Sequence, residues 1–80
     1  MASNKLRLCT WNIKGVHSPV KRTNILRFLK KGHIDIALLQ ETHLDDEEHL
    51  KLQKEGFNQV FFSSFTSRSR GVAILVRRNL

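Results

Sequence analysis

The chain has 80 residues, enough for one small domain, and a core of that size is marginal. Hydrophobic residues make up 40% of it, which argues against disorder, and the net charge of +7 favours partners rich in phosphate, nucleic acid before an anionic membrane surface. A single cysteine, Cys9, excludes an internal disulfide and suits a reducing compartment, while the longest fully apolar run, residues 72–76, is far too short to span a bilayer.

Residues 1–4 carry no patterning and are expected to be a disordered N-terminus with no signal peptide behind it. Residues 6–11 alternate as a strand does, with Leu6 and Leu8 on one face and Cys9 and Trp11 on the other. Asn12 and Gly15 then mark a turn. Ser18 suits a helix N-cap and Pro19 the first helical position. In that helix Ile25, Leu26 and Leu29 form one stripe with Phe28 at its margin, and Lys21, Arg22, Lys30 and Lys31 are expected to face water. Gly32 suits the residue just past the helix end.

Residues 34–40 are a short apolar run that reads as a strand buried on both faces. Strand, helix, strand with short connections makes a βαβ unit with parallel strands. If the two strands are neighbours, Asn12 and Glu41 arrive together at the carboxyl edge of the sheet, where open α/β sheets place their ligands. The acidic cluster Asp45, Asp46, Glu47 and Glu48 reads as the first turn of a short second helix, since its spacing does not match a calcium loop. Residues 57–62 and 71–77 read as two further strands joined by a hairpin-type connection. Two helices cannot cover both faces of a four-stranded sheet, so an apolar patch should stay open.

Three segments carry a family resemblance: Cys9-Thr10-Trp11-Asn12-Ile13-Lys14-Gly15, then Asp35-Ile36-Ala37-Leu38-Leu39-Gln40-Glu41-Thr42-His43, then Ser69-Arg70-Gly71-Val72-Ala73-Ile74-Leu75. Together they resemble the endonuclease/exonuclease/phosphatase family, near the exonuclease III-like apurinic endonucleases and nearer still to the endonuclease domain of LINE-type non-LTR retrotransposons. The resemblance implies an α/β fold in which residues 5–80 are the N-terminal portion (βαβ, short helix, β-hairpin) of an incomplete four-layered α/β sandwich of the DNase I-like fold. It implies Mg²⁺-dependent hydrolysis of DNA phosphodiesters, with Mn²⁺ as a possible substitute, as retrotransposon target nicking or as apurinic-site or exonuclease action in DNA repair. Glu41 is the implied metal-binding carboxylate and Asn12 the residue that helps position metal and phosphate. The family also uses an Asp-x-Asn and an Asp-His pair further on, so these residues alone are expected to be inactive.

Lys14, Arg68 and Arg70 are candidate DNA contacts, with Phe65 as one aromatic among them. His43 is expected to meet solvent or a loop hydrogen bond, and His17, His33 and His49 show no ligand spacing. Trp11 should be core or pocket wall, and Cys9 a buried thiol. The expected location is the nucleus or cytoplasm, with DNA as partner, no membrane and no small-molecule cofactor. Competing readings are a non-catalytic basic module that binds nucleic acid through phosphates and an inactive truncated remnant.

Overall fold

The computed structural model describes residues 5–16, 18–64 and 70–78. Its elements are β1 (Leu8–Asn12), α1 (Pro19–Lys31), β2 (Ile36–Gln40), α2 (Asp46–Leu50), β3 (Phe57–Ser63) and β4 (Val72–Arg77). The expected N-terminal tail, residues 1–4, lies outside the described residues, as do His17, Phe65 and Arg68.

The four strands form one mixed sheet in the order β1-β2-β4-β3. β1 and β2 are parallel neighbours, as the βαβ reading requires, while β4 runs antiparallel to β2 and to β3. The ends of β1, β2 and β3 and the start of β4 therefore share one edge. The last row across it is Asn12, Gln40, Val72 and Ser63.

Period-two alternation sorts the sheet into two unlike faces. On the inner face Cys9, Ala37, Leu75 and Val60 form one row, and Trp11, Leu39, Ala73 and Phe62 the next. Leucines beside alanines leave room for the helical stripe, and Ile25, Leu26 and Leu29 join Ala37, Leu39, Ala73 and Leu75 in a single core. Trp11 is a core wall, half-buried and tilted against the Phe28 ring at 5.4 Å. Cys9 is half-buried rather than buried, because β1 is an edge strand.

On the outer face Thr10, Leu38, Ile74 and Phe61 lie across the sheet, and among the described residues no helix covers them. Leu8 is 62% exposed, Phe61 57% and Ile74 39%. The expected open patch is thus present. β2 and β4 are fully buried on one face only, the side where α1 and the residues flanking α2 join the core and His49 of α2 stacks on Phe62.

Both helices start as their sequences prescribe. The Ser18 side chain accepts from Lys21 N with Pro19 in the first turn. Asp45 and Glu48 make a reciprocal capping box, so the acidic cluster is a helix start. Gly32 is the C-cap with φ −78°, and the left-handed residue past α1 is His33 at +56°. Arg22 does not face water. It is buried, and its guanidinium donates to Val16 O at 3.1 Å.

Candidate functional site

Backbone hydrogen bonds continue past the strand ends and build the site. Ile13 N donates to Gln40 O, Gly15 N to Glu41 O and Val16 N to Thr42 O, extending the β1–β2 ladder into the two loops. From the other side Thr42 N donates to Gly71 O and His43 N to Arg70 O. The Glu41 loop is held between the loop after β1 and the residues that lead into β4. Lys21 is exposed as expected, and its Nζ also donates to Ile13 O at 2.9 Å, tying α1 to the loop backbone.

The clamp confines the chain to unusual backbone geometry. Glu41, His43 and Lys14 all take left-handed conformations, with φ of +52°, +59° and +50°. Such residues cost about 1–3 kcal/mol each and cluster where surrounding structure over-determines them, often at functional sites. Gly71 is required twice. Its φ is +123°, and a Cβ there would stand 2.5 Å from Thr42 Oγ1. Gly15, at φ +94°, would put a Cβ 2.8 Å from His43 Nδ1.

Within this frame Asn12 and Glu41 meet. Asn12 Nδ2 donates to Glu41 Oε2 at 2.6 Å, and Asn12 Oδ1 accepts from Lys14 N at 3.3 Å. The Glu41 side chain is 47% exposed. A half-open carboxylate beside an amide oxygen could hold a hard cation that keeps several of its waters. Among the described residues no three His, Cys, Asp or Glu side chains come together, so the oxygen pair is what this edge offers a metal. Lys14 and Arg70 are exposed on the two loops that flank Glu41, and Arg68 is outside the described residues.

Two histidines take places that their spacing does not signal. His43 turns back on the site: Nε2 lies 3.8 Å from Glu41 Oε1 and is shut away from solvent, without a hydrogen-bond partner among the described residues. His49 is fully buried beneath the Glu41 loop. Its Nε2 lies 2.7 Å from Thr42 Oγ1, its Nδ1 2.9 Å from Ser64 Oγ, and its ring stacks on Phe62. Burial pushes its pKa below the usual histidine value, against the pull of the α2 N-terminal carbonyl and acids, and favours the neutral ring. A spacing search for metal ligands passes over such a residue. Its only sequence signal is a polar side chain on the buried side of α2, near Leu44 and Leu52.

Comparison with known proteins agrees with this architecture. The model of the Endonuclease/Exonuclease/phosphatase family matches residues 9–80. The chain belongs to this family. Its sheet and two helices are consistent with a portion of the DNase I-like α/β sandwich. The chain is 34% identical over 70 residues to the transposon TX1 uncharacterized 149 kDa protein of Xenopus laevis, covering 88% of this chain and 5% of that protein. It is 26% identical over 73 residues to an exodeoxyribonuclease of Bacillus subtilis strain 168, covering 91% of this chain and 29% of that enzyme. The chain therefore spans a small part of the length of both relatives.

Proposed function

We propose that this chain supplies the metal-binding edge of a DNA phosphodiesterase, the front portion of an endonuclease domain that nicks target DNA for a retrotransposon. The observation that carries the reading is the Asn12–Glu41 pair, held at 2.6 Å on a clamped, half-exposed edge. Family membership supports phosphate-ester hydrolysis, the Bacillus relative supports DNA as substrate, and the Xenopus relative favours the transposon branch over repair. The open outer face supports a larger sandwich in which further chain covers the sheet.

In this reading Glu41 and the Asn12 amide oxygen would hold one divalent cation, Mg²⁺ or Mn²⁺. Held there, it would supply stabilisation of the charge that develops on the scissile phosphate. The chain's own residues do the positioning. The Asn12 amide nitrogen fixes one Glu41 oxygen, Oε2, and the second, Oε1, lies 3.8 Å from His43 Nε2. Lys14 and Arg70, one on each flanking loop, attract the phosphate backbone without reading its sequence. Water activation needs groups outside these residues, so the isolated chain binds DNA and does not cut it.

The test is nicking of supercoiled plasmid by the full-length protein with Mg²⁺. Glu41→Ala is expected to abolish nicking and leave DNA binding largely intact. Retained nicking sinks the assignment. A full-length protein that binds DNA in a salt-sensitive way, with no effect of Mg²⁺ on strand integrity, is instead a non-catalytic basic module.

A further inference from the structure

The residue after Glu41 has all its polar atoms engaged. Thr42 N donates to Gly71 O, Thr42 O accepts from Val16 N, and Thr42 Oγ1 meets His49 Nε2 at 2.7 Å. Thr42 and His49 both have no exposed surface. Glu41, by contrast, is exposed and strained, and beside its own bonds to Gly15 and Asn12 it is held by the neighbour that is pinned.

The imidazole also reaches a second loop. Nδ1 lies 2.9 Å from Ser64 Oγ, just past the end of β3. Gly71, at the other foot of the β3–β4 connection, faces the same network. A Cβ on it would stand 2.5 Å from Thr42 Oγ1 and 3.4 Å from His49 Cε1. A neutral imidazole has one donor and one acceptor nitrogen, and a hydroxyl can play either part, so both contacts are satisfied at once. The ring thus ties the Glu41 loop to the Ser64 foot of the connection, and Thr42 carries the link on to Gly71 at the other foot.

We propose that His49 is a positioning residue, which sets how the Glu41 carboxylate is presented to the metal by fixing Thr42 against the β3–β4 connection. The inference rests on the reading of Glu41 as a metal ligand. A merely structural histidine would fill space against Phe62, 4.8 Å away and nearly parallel, and any ring of similar shape would replace it.

The experiment separates shape from hydrogen bonding in the full-length protein. His49→Phe keeps the ring and its stacking but leaves two hydroxyls without a partner. Adding Thr42→Val removes one of those hydroxyls, and deleting both members of a buried pair is close to neutral for stability. The double variant is expected to recover most of the melting temperature that His49→Phe loses. It should nevertheless need about tenfold more Mg²⁺ for half-maximal plasmid nicking, the scale of effect seen when the support of a metal ligand is removed.

A second pair of variants reads the two arms separately. His49→Gln places its amide near the Nε2 position, keeps the Thr42 contact, and should stay near the wild-type Mg²⁺ requirement. His49→Asn keeps the Ser64 contact instead and should not. A double variant with the wild-type Mg²⁺ requirement, or Gln and Asn variants that behave alike, overturns the proposal. A wild-type protein inert with Mg²⁺ overturns the reading of Glu41 and this inference with it. An active wild type beside insensitive variants overturns this inference alone.

Discussion

β2 is flanked by two carboxylates with opposite fates. Asp35 stands at its start, buried, with its oxygens accepting from Arg7 N at 2.8 Å, Arg77 Nε at 2.7 Å and Arg77 Nη2 at 2.6 Å. The Arg7 backbone N–H, then the Arg77 guanidinium, hold its pKa below the usual carboxylate value. Glu41, just past the strand's end, is half exposed and accepts, among the described residues, one side-chain hydrogen bond from a neutral amide, with a histidine nitrogen 3.8 Å away. Protein donors surround Asp35, while Glu41 retains acceptor capacity toward the outside. That difference separates a carboxylate that holds the fold from one placed to bind something else, although both border the same strand.

The sharpest way to break the comparison is to neutralise each carboxylate in turn. Glu41→Gln keeps shape and the Asn12 contact, and is expected to cut plasmid nicking by the full-length protein by about 1,000-fold or more with little change in melting temperature. Asp35→Asn should do the reverse: a clear fall in melting temperature, with nicking per folded molecule retained. Equal losses of activity would erase the distinction. Asn12→Ala, which frees the Glu41 side chain, should lower nicking by about 10–100-fold, measured at fixed Mg²⁺. No loss would mean that the 2.6 Å contact is incidental to function.

Glycines at the two edges sharpen the contrast further. Gly56, near Asp35, has φ +93° and open space around its Cα, so Gly56→Ala should cost only the backbone strain, about 1–2 kcal/mol by denaturant midpoint. Gly71→Ala adds a steric conflict with Thr42 Oγ1 to its strain and should cost more, about 2–4 kcal/mol. Similar values would mean that the Glu41 clamp is looser than its contacts imply.

The smallest effects are in pH dependence. His49 has a lowered folded pKa, so its share of stability is complete above its ordinary value of 6.5 and is lost as the pH falls from there toward the folded value. Asp35 likewise has a lowered folded pKa. Its share is complete above the ordinary value of 3.8 and disappears as the pH falls through the folded value. Thermal melts across pH should show both losses, the first missing in His49→Phe and the second in Asp35→Asn.

Much of the architecture is legible from residue order. Ser18-Pro19 and Asp45 with Glu48 mark helix starts because capping is local chemistry between residues three apart. The βαβ unit is legible because a short helical crossover leaves parallel strands as the simple solution, and that alone brings Asn12 to Glu41. The burial of Arg22 was not legible, since a basic residue on a helix is ordinarily solvated and only the Val16 carbonyl on a neighbouring loop draws it in.

What the sequence determined by itself is the set of elements, the parallel pairing and the identity of the two residues at the edge, because these follow from periodicity, capping and motifs that act over short separations. Only the tertiary structure decided how the edge is held. The left-handed turn at Glu41, the approach of His43, and the His49 link from Thr42 to Ser64 depend on three loops meeting in space. No local pattern encodes that meeting, because burial turns a histidine of ordinary spacing into a bridge only when the other chain segments have closed around it.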